Sequence, residues 1–265
     1  MTRFAAARCR KAALSHALAA AAVLTVLPGS PVQARQAPEA AAPTANDPAS
    51  ALRLARAMRA AGDARSSVEL YRAAAERKGA DPALRIELGE ALLDARLVDE
   101  AIGVFTAAAS DSRIAAEAEL GLARAALTLD QPADALVHAE RAAKLAPRDQ
   151  RVLIGYGVAL DRAGRHEEAQ AAYRSALAVS PRNPIARNNL ALSLAFSGRF
   201  AEAVALVEPI ARSADATPRD RQNLAFIYGL KGDRDMALAL SRIDLDEATA
   251  QANLAFYDFA RAAQK

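Results

Sequence analysis

Small, large apolar and polar positions recur along the chain with a period of 34 residues. In six successive steps a large apolar residue precedes a small one, as the pairs Leu54/Ala55, Leu88/Gly89, Leu122/Ala123, Tyr156/Gly157, Leu190/Ala191 and Leu224/Ala225. Twelve residues after each pair a second set begins, at Ser67, Ala101, Ala135, Ala169, Ala203 and Ala237, and it continues four and seven residues further on. Spacings of three and four residues place side chains on one face of a helix, so each period predicts two helices.

This pattern resembles that of tetratricopeptide arrays, in which each 34-residue repeat is a helix hairpin. The resemblance implies an all-α fold, a right-handed tetratricopeptide solenoid of about six hairpins with a C-terminal capping helix. One hairpin cannot bury its apolar face alone, so neighbouring hairpins stack through their small residues. A column of turn positions follows the first helix, at Gly62, Arg96, Asp130, Gly164, Gly198 and Gly232. Glycine commonly ends a helix, so this column predicts the turn of each hairpin. The sequence thus predicts an array over residues 49–265.

Residues 1–34 differ in kind from the array. Four basic residues lie between Arg3 and Lys11, a mostly apolar run spans Ala17–Leu27, and small residues lead to Ala34. This three-part pattern predicts a secretory signal peptide that is cleaved after Ala34. The alternative, a membrane anchor, would need about 20 apolar residues. Residues 35–48 are rich in alanine and proline and predict a linker.

The charge balance depends on that leader. The whole chain has 34 basic and 31 acidic residues, and removal of residues 1–34 leaves 30 against 31. No polybasic patch then remains, so we expect neither a nucleic-acid partner nor direct membrane binding, and membrane association only through partners. The single cysteine, Cys9, also lies in the leader, so no disulfide is expected in the mature chain.

Motifs for catalysis or metal binding are incomplete in this sequence. The string from His166 begins like the zinc motif H-E-x-x-H, but Gln170 occupies the place of the second histidine. We therefore interpret His166 as an exposed charge at a helix start. No nucleophile elbow, phosphate-binding loop or glycine-rich dinucleotide turn is present. The sequence predicts a protein that is not an enzyme, with no catalytic residue, metal, cofactor or small-molecule substrate.

The predicted binding surface is the concave face, which the first helices of the hairpins line. The helical period exposes residues in the fifth and sixth hairpins, namely Asn188, Asn189, Leu192, Phe196, Arg219, Gln222, Asn223 and Phe226. An amide can bond the backbone of an extended peptide, and phenylalanine provides an apolar floor. In tetratricopeptide domains an asparagine beside the Leu–small pair often holds ligand backbone, which supports this prediction. The alternative is that these amides only bridge adjacent helices.

Two other surfaces are open to more than one interpretation. Arg53, Arg56 and Arg59 lie in the hairpin before a set of acidic residues, Glu87, Glu90 and Asp94. This pattern favours a charge lattice between hairpins over a binding patch. The last helix, from Asp246 to about Ala263, carries Leu254, Phe256, Tyr257 and Phe259. It is predicted to cap the array, and the alternative is an aromatic surface for a partner.

A narrower resemblance appears near the C-terminus. It is carried by Arg-Gln-Asn-Leu-Ala at 221–225, Tyr-Gly-Leu-Lys-Gly-Asp at 228–233, Ala237, Asp244-Leu245 and Ala-Asn-Leu-Ala at 252–255. These motifs resemble the tail of TadD-type proteins, the tetratricopeptide components of bacterial tight-adherence (Flp) pilus assembly. Such proteins are commonly lipoproteins, whereas here no cysteine follows the apolar segment. A soluble periplasmic form is therefore the alternative to an anchored one.

This resemblance implies a non-enzymatic scaffold that is exported, and that is periplasmic or associated with the outer membrane. Its partners would be proteins, such as the outer-membrane secretin or other pilus assembly components. Two alternatives remain. One is a general envelope chaperone or scaffold for another export or polysaccharide system, and the other is a regulatory subunit of an envelope hydrolase.

Overall fold

A computed structural model describes residues 48–77 and 79–263. In this part of the chain every regular element is an α-helix, and there are thirteen. They are α1 (Pro48–Ala60), α2 (Ala64–Ala75), α3 (Ala83–Asp94), α4 (Val98–Ala108), α5 (Ala115–Thr128), α6 (Pro132–Leu145), α7 (Gln150–Arg162), α8 (His166–Val179), α9 (Pro184–Phe196), α10 (Phe200–Ala211), α11 (Pro218–Lys231), α12 (Arg234–Ser241) and α13 (Glu247–Ala263). The predicted signal peptide, 1–34, and the predicted linker up to residue 47 lie outside the described residues.

The described chain forms two compact units, one ending at Ala159 and the other beginning at Leu160, inside α7. In the first unit, α1–α2, α3–α4 and α5–α6 pack as hairpins in chain order. In the second, α9–α10 and α11–α12 do the same, and α13 packs on α11 and α12. The predicted fold class, an all-helical array of hairpins with an added C-terminal helix, is confirmed.

Close approach between helices requires the small residues of the repeat. Ala101, Ala135 and Ala169 have no exposed surface. The ring of Phe105 in α4 lies against the backbone of both α3 and α5. A Cβ atom at Gly89 or Gly121 would come within 2.5 Å or 2.4 Å of that ring. Since such contacts are far shorter than van der Waals distance, both glycines are needed for this packing.

One member of the large apolar column does not pack as predicted. Leu88, Leu122, Leu190 and Leu224 are buried, but Leu54 is 50% exposed. Leu54 lies in α1, and no described helix precedes α1 to cover this face. The exposure therefore follows from position in the array rather than from a different fold.

The predicted turn column has one backbone conformation throughout. The four glycines at 62, 164, 198 and 232 have positive φ, and so do Arg96 (64°) and Asp130 (56°). In each turn the next N–H bonds the carbonyl five residues earlier, as from Leu97 to Leu92 at 2.9 Å. This bond is typical of the Schellman motif that ends helices. The predicted ends of the first helices are confirmed, even where glycine is missing.

The C-terminal hairpin ends early and is closed by an ion pair. Helix α12 has only eight residues. In the segment after it, Asp244 accepts two hydrogen bonds from Arg221 of α11, at 2.8 and 2.5 Å. Helix α13 then buries Leu254 and Tyr257 against the preceding helices. The last helix therefore acts as the predicted cap, while Phe259 on its outer face remains exposed.

Ion pairs link the first helices of neighbouring hairpins in the first unit. Arg56 donates to Glu87 through two nitrogens, at 2.8 and 2.5 Å. Arg59 lies between Asp94, at 2.6 Å, and Glu90, at 2.9 Å. The third arginine of the predicted set bonds a serine of its own helix. The charge-lattice interpretation is confirmed for Arg56 and Arg59, and partly exposed pairs of this kind add little stability.

We predict that Ala169→Leu destabilises the protein by about 1–3 kcal/mol, because the larger side chain overpacks a helix crossing. Ala171→Leu is the matched control, since Ala171 is exposed on the same helix. Urea unfolding followed by circular dichroism measures both. Equal midpoints for the two variants would show that the crossing tolerates added volume.

We predict that Arg96→Gly stabilises the first unit by about 1 kcal/mol, because it removes the cost of a left-handed conformation from an exposed side chain. Gly198→Ala should have the opposite effect in the second unit. Thermal and urea unfolding of both variants give the sign. A loss of stability in Arg96→Gly would mean that the arginine side chain contributes more than the strain costs.

Candidate functional site

The predicted groove residues lie on α9 and α11, whose starting points are fixed by capping side chains. Asn183 accepts a hydrogen bond from the N–H of Ala186 at 3.0 Å. Thr217 and Asp220 form a reciprocal capping box at the start of α11. Helices α9, α11 and α13 pack side by side in the second unit. The packing of α9 on α11 therefore brings the groove positions of these two helices next to each other.

Half of the predicted groove residues are accessible. Asn189, Leu192 and Phe196 are partly exposed on α9, and Arg219 is exposed at the start of α11. These four side chains offer an amide, two apolar groups and a cation. A protein segment that lay along α9 and α11 would meet this mixture of polar and apolar groups first.

The predicted exposure of the other four residues is wrong. Asn188, Gln222, Asn223 and Phe226 are only 9, 7, 7 and 3% exposed, respectively. The physical reason is that each first helix of a hairpin is covered by the next one, α9 by α11 and α11 by α13. Phe226, for example, lies 5.3 Å from the ring of Tyr257 on α13, measured between centroids.

The buried amides differ in their hydrogen bonding. Asn188 reaches Asp220 of the neighbouring helix through a long bond of 3.4 Å, as the bridging alternative predicts. The amide of Gln222 and the Nδ2 of Asn223 are buried and bond no group of the described residues. Buried amides are normally hydrogen-bonded, so the buried amides of Gln222 and Asn223 are unusual.

Aromatic rings form a continuous row across the second unit, which we call the aromatic ladder. It consists of His166, Phe196, Phe226, Phe256 and Tyr257. Successive centroids from His166 to Phe256 are 6.1, 6.0 and 6.1 Å apart. These separations suit stacked and edge-to-face pairs, which stabilise by about 0.5–1.5 kcal/mol each. His166, Phe196 and Phe256 are partly exposed, so the ladder reaches the surface.

The ladder crosses the helices diagonally. Its rings at 166, 196, 226 and 256 are 30 residues apart, whereas the hairpins repeat every 34. The difference of four residues is about one helical turn. Phe226 therefore lies about one turn nearer the start of α11 than Phe196 lies to the start of α9.

A buried carboxylate lies beneath the first ring of the ladder. Asp161 accepts hydrogen bonds from Ser193 at 2.7 Å and from Tyr173 at 3.0 Å. Nδ1 of His166 lies 2.8 Å from the same carboxylate. The predicted exposure of His166 is therefore wrong, because its side chain is only 16% exposed, stacks with Phe196 and is held by Asp161. Three helices, α7, α8 and α9, meet in this network.

The residue that interrupts the zinc motif has a packing role. Gln170 is buried, donates to Ser197 at 2.8 Å and accepts from Arg199 at 2.8 Å. Within residues 48–77 and 79–263, no three His, Cys, Asp or Glu side chains are placed to hold a metal ion. The same residues include no helix that is long and apolar enough to cross a membrane.

A cleft of about 540 Å³ opens at the end of α9. Its walls are Phe196 and Phe200 on one side, Leu230 and Lys231 at the end of α11, and Arg261 from α13. The turn at Ser197–Gly198 forms its rim. The cleft thus combines apolar surface with two cations, and it adjoins the aromatic ladder through Phe196.

The sequence interpretation missed His166, Phe200, Lys231 and Arg261 as parts of this surface. The 30-residue spacing of rings was a signal that could have connected His166 with Phe256. No local pattern identifies Arg261, because its place beside Lys231 depends on how α13 packs against α11.

Comparison with known proteins agrees with the hairpin geometry. A model of the tetratricopeptide repeat family matches residues 3–182, more than half of the chain. The chain belongs to the tetratricopeptide repeat family. A second tetratricopeptide repeat model matches residues 162–225. Proteins of this family bind protein partners and are generally non-enzymatic scaffolds.

Relatives by sequence share only part of their length with this tetratricopeptide protein. Protein y4yS of Sinorhizobium fredii is 37% identical over 83 residues, which is 31% of this chain and 46% of the relative. The tetratricopeptide repeat-containing thioredoxin TTL4 of Arabidopsis thaliana is 38% identical over 81 residues, 31% of this chain and 12% of the relative. The chain therefore spans less than half the length of either relative.

Solved structures of similar fold are tetratricopeptide proteins. TTC0263 of Thermus thermophilus has a TM-score of 0.55 and 25% identity, covering 68% of this chain and 98% of its own. A protein of Parabacteroides merdae has a TM-score of 0.60 and 14% identity, covering 81% and 86%. YrrB, described as having an unusual peptide-binding site, has a TM-score of 0.51 and 18% identity, covering 70% and 98%. The last two support the fold alone.

Burial, with the adjacent Asp161 carboxylate, holds the pKa of the Tyr173 phenol well above its usual value of 10.0. In the unfolded chain this phenol ionises near pH 10, so its contribution to stability is complete below that pH and is lost above it. We predict that Tyr173→Phe loses about 1 kcal/mol at pH 7, where the hydrogen bond is removed. Above pH 10 its stability should fall less steeply than that of the wild type, by up to about 1.4 kcal/mol per pH unit. Urea midpoints between pH 7 and 11 check this, and parallel pH profiles would contradict it.

Proposed function

We propose that this protein is a non-enzymatic scaffold that holds a protein segment on its second unit, and that it acts in the assembly of a tight-adherence pilus in the bacterial envelope. The observation that carries the binding role is the aromatic ladder, which has partly exposed rings and lines a cleft with one of them, Phe196. Partly exposed rings provide a large apolar contact area with little loss of conformational freedom on binding.

The accessible groove residues complete this surface. Asn189 and Arg219 provide hydrogen-bond donors, and Leu192 and Phe196 provide apolar groups, a combination that fits an extended peptide. The buried amides of Gln222 and Asn223 are covered by neighbouring side chains, so we assign them to the interior of the site rather than to first contact. The peptide-binding site reported for YrrB is consistent with a binding role for this fold.

The pilus assignment rests on the C-terminal resemblance. Its motif residues carry specific contacts here, since Arg221 pairs with Asp244, and Gly229 lies where a Cβ would be 2.6 Å from Tyr257. The three-part pattern of residues 1–34 supports export to the periplasm, either as a soluble protein or in association with the outer membrane.

Crosslinking in the source bacterium tests the proposal. A photoreactive phenylalanine analogue replaces Phe196 in the cleft, and in a control strain it replaces the exposed Ala205 of α10. We expect adducts with the outer-membrane secretin or another pilus component from position 196 alone. The deletion strain should lack pili and secretin multimers, and the periplasmic protein should begin at Arg35.

Three other outcomes of these experiments would change the proposal. Adducts with an envelope hydrolase, without any pilus component, would replace the proposal by the regulatory-subunit alternative. Adducts with components of another export or polysaccharide system would support the general scaffold. A protein that keeps residues 1–34 and stays in the cytoplasm would contradict the envelope location.

A further inference from the structure

The cleft beside the ladder has a charge and a composition that specify its occupant more closely. The side chains that line it include no carboxylate, but they include the two cations Lys231 and Arg261. The remaining large walls are Phe196, Phe200 and Leu230. A segment that fills this cleft must therefore satisfy apolar surface and positive charge together.

The cations at this cleft are incompletely neutralised. Lys231 lies 4.0 Å from Asp233. Arg261 lies 3.3 Å from Asp258, which is also paired with Arg234. In these pairs, three cations share two carboxylates. Because Lys231 and Arg261 are partly exposed, an incoming carboxylate can reach them without unfolding the helices.

The guanidinium of Arg261 lies against the backbone at the end of α11. Gly232 ends α11 with φ of 94°, and a Cβ atom there would lie 2.7 Å from Nη1 of Arg261. Since glycine leaves room at this turn, the guanidinium lies across the end of α11, near Lys231. Lys231 and Arg261 therefore both line the cleft near the end of α11.

We propose that this cleft binds an acidic protein segment in which a large apolar side chain stands next to carboxylates. The apolar side chain would lie between Phe196, Phe200 and Leu230, and the carboxylates would meet Lys231 and Arg261. Charge complementarity favours this occupant over a basic segment. Two cations are too few to hold a nucleic-acid backbone, which needs several phosphate contacts. The inference rests on the proposed scaffold function and specifies the partner's chemistry.

Fluorescence anisotropy with the purified full-length protein tests this inference. The probe is a labelled ten-residue peptide with phenylalanine and leucine flanked by aspartate and glutamate. Two comparison peptides replace either the acidic residues by lysine or the two apolar residues by serine. We expect saturable binding of the first peptide only, with an affinity that falls as salt concentration rises.

Charge reversal locates the binding. The double variant Lys231→Glu with Arg261→Glu should raise the dissociation constant at least about tenfold. The control is Arg174→Glu with Arg182→Glu, which removes the same charge from exposed positions of α8 and the turn before α9. It should bind as the wild type does. Circular dichroism and thermal melting check that both double variants are folded. If Lys231→Glu with Arg261→Glu does not fold, Phe200→Ser tests the apolar wall of the cleft instead.

The contradicting results are distinct from those of the cell experiment. No binding of the acidic peptide, equal binding of the lysine peptide, or equal losses in both double variants would each overturn the inference. Tighter binding of a labelled single-stranded oligonucleotide would also overturn it. Crosslinking from position 196 could still capture a pilus component whose segment has a different chemistry, so failure here leaves the scaffold proposal standing.

Discussion

The whole structure depends on the close contact between helices at small residues. Phe105 fits between Gly89 and Gly121 because neither has a side chain, and the alanine columns allow other helices to cross at a similarly short distance. Stability in such arrays is carried by each hairpin and by its contacts with its neighbours, because no central core joins distant parts of the chain. A single large residue at one crossing therefore affects two hairpins directly and leaves the others to their own contacts.

Most of the fold could be predicted from the sequence, because the small residues that helix packing requires recur with the same 34-residue period as the hairpins. The turn column shows how far this holds. Arg96 and Asp130 keep the left-handed turn of the four glycine positions, since the closing hydrogen bond and the packed helices on either side determine the backbone there. Leu54 shows the limit, because its exposure depends on which helices are present around α1.

The candidate site was predicted less well, for a physical reason. A helical period tells which residues share a face, but it does not tell how far the next helix covers that face. Gln222 and Asn223 fall under this cover, while Asn189 one hairpin earlier does not. Contacts such as those of Arg261 with the end of α11 join residues that are remote in sequence, so only the folded chain brings them together.

The aromatic ladder has a consequence for how this molecule can change in evolution. An array of 34-residue units tolerates duplication or loss of a whole unit, because every copy offers the same small residues to its neighbours. The ladder does not tolerate duplication or loss of a unit in the same way, because its rings are 30 rather than 34 residues apart. Insertion of one more hairpin between Phe196 and Phe226 would leave the hairpins compatible but would separate the two rings. The row of rings thus ties the number of units at this end of the chain to the surface that they form.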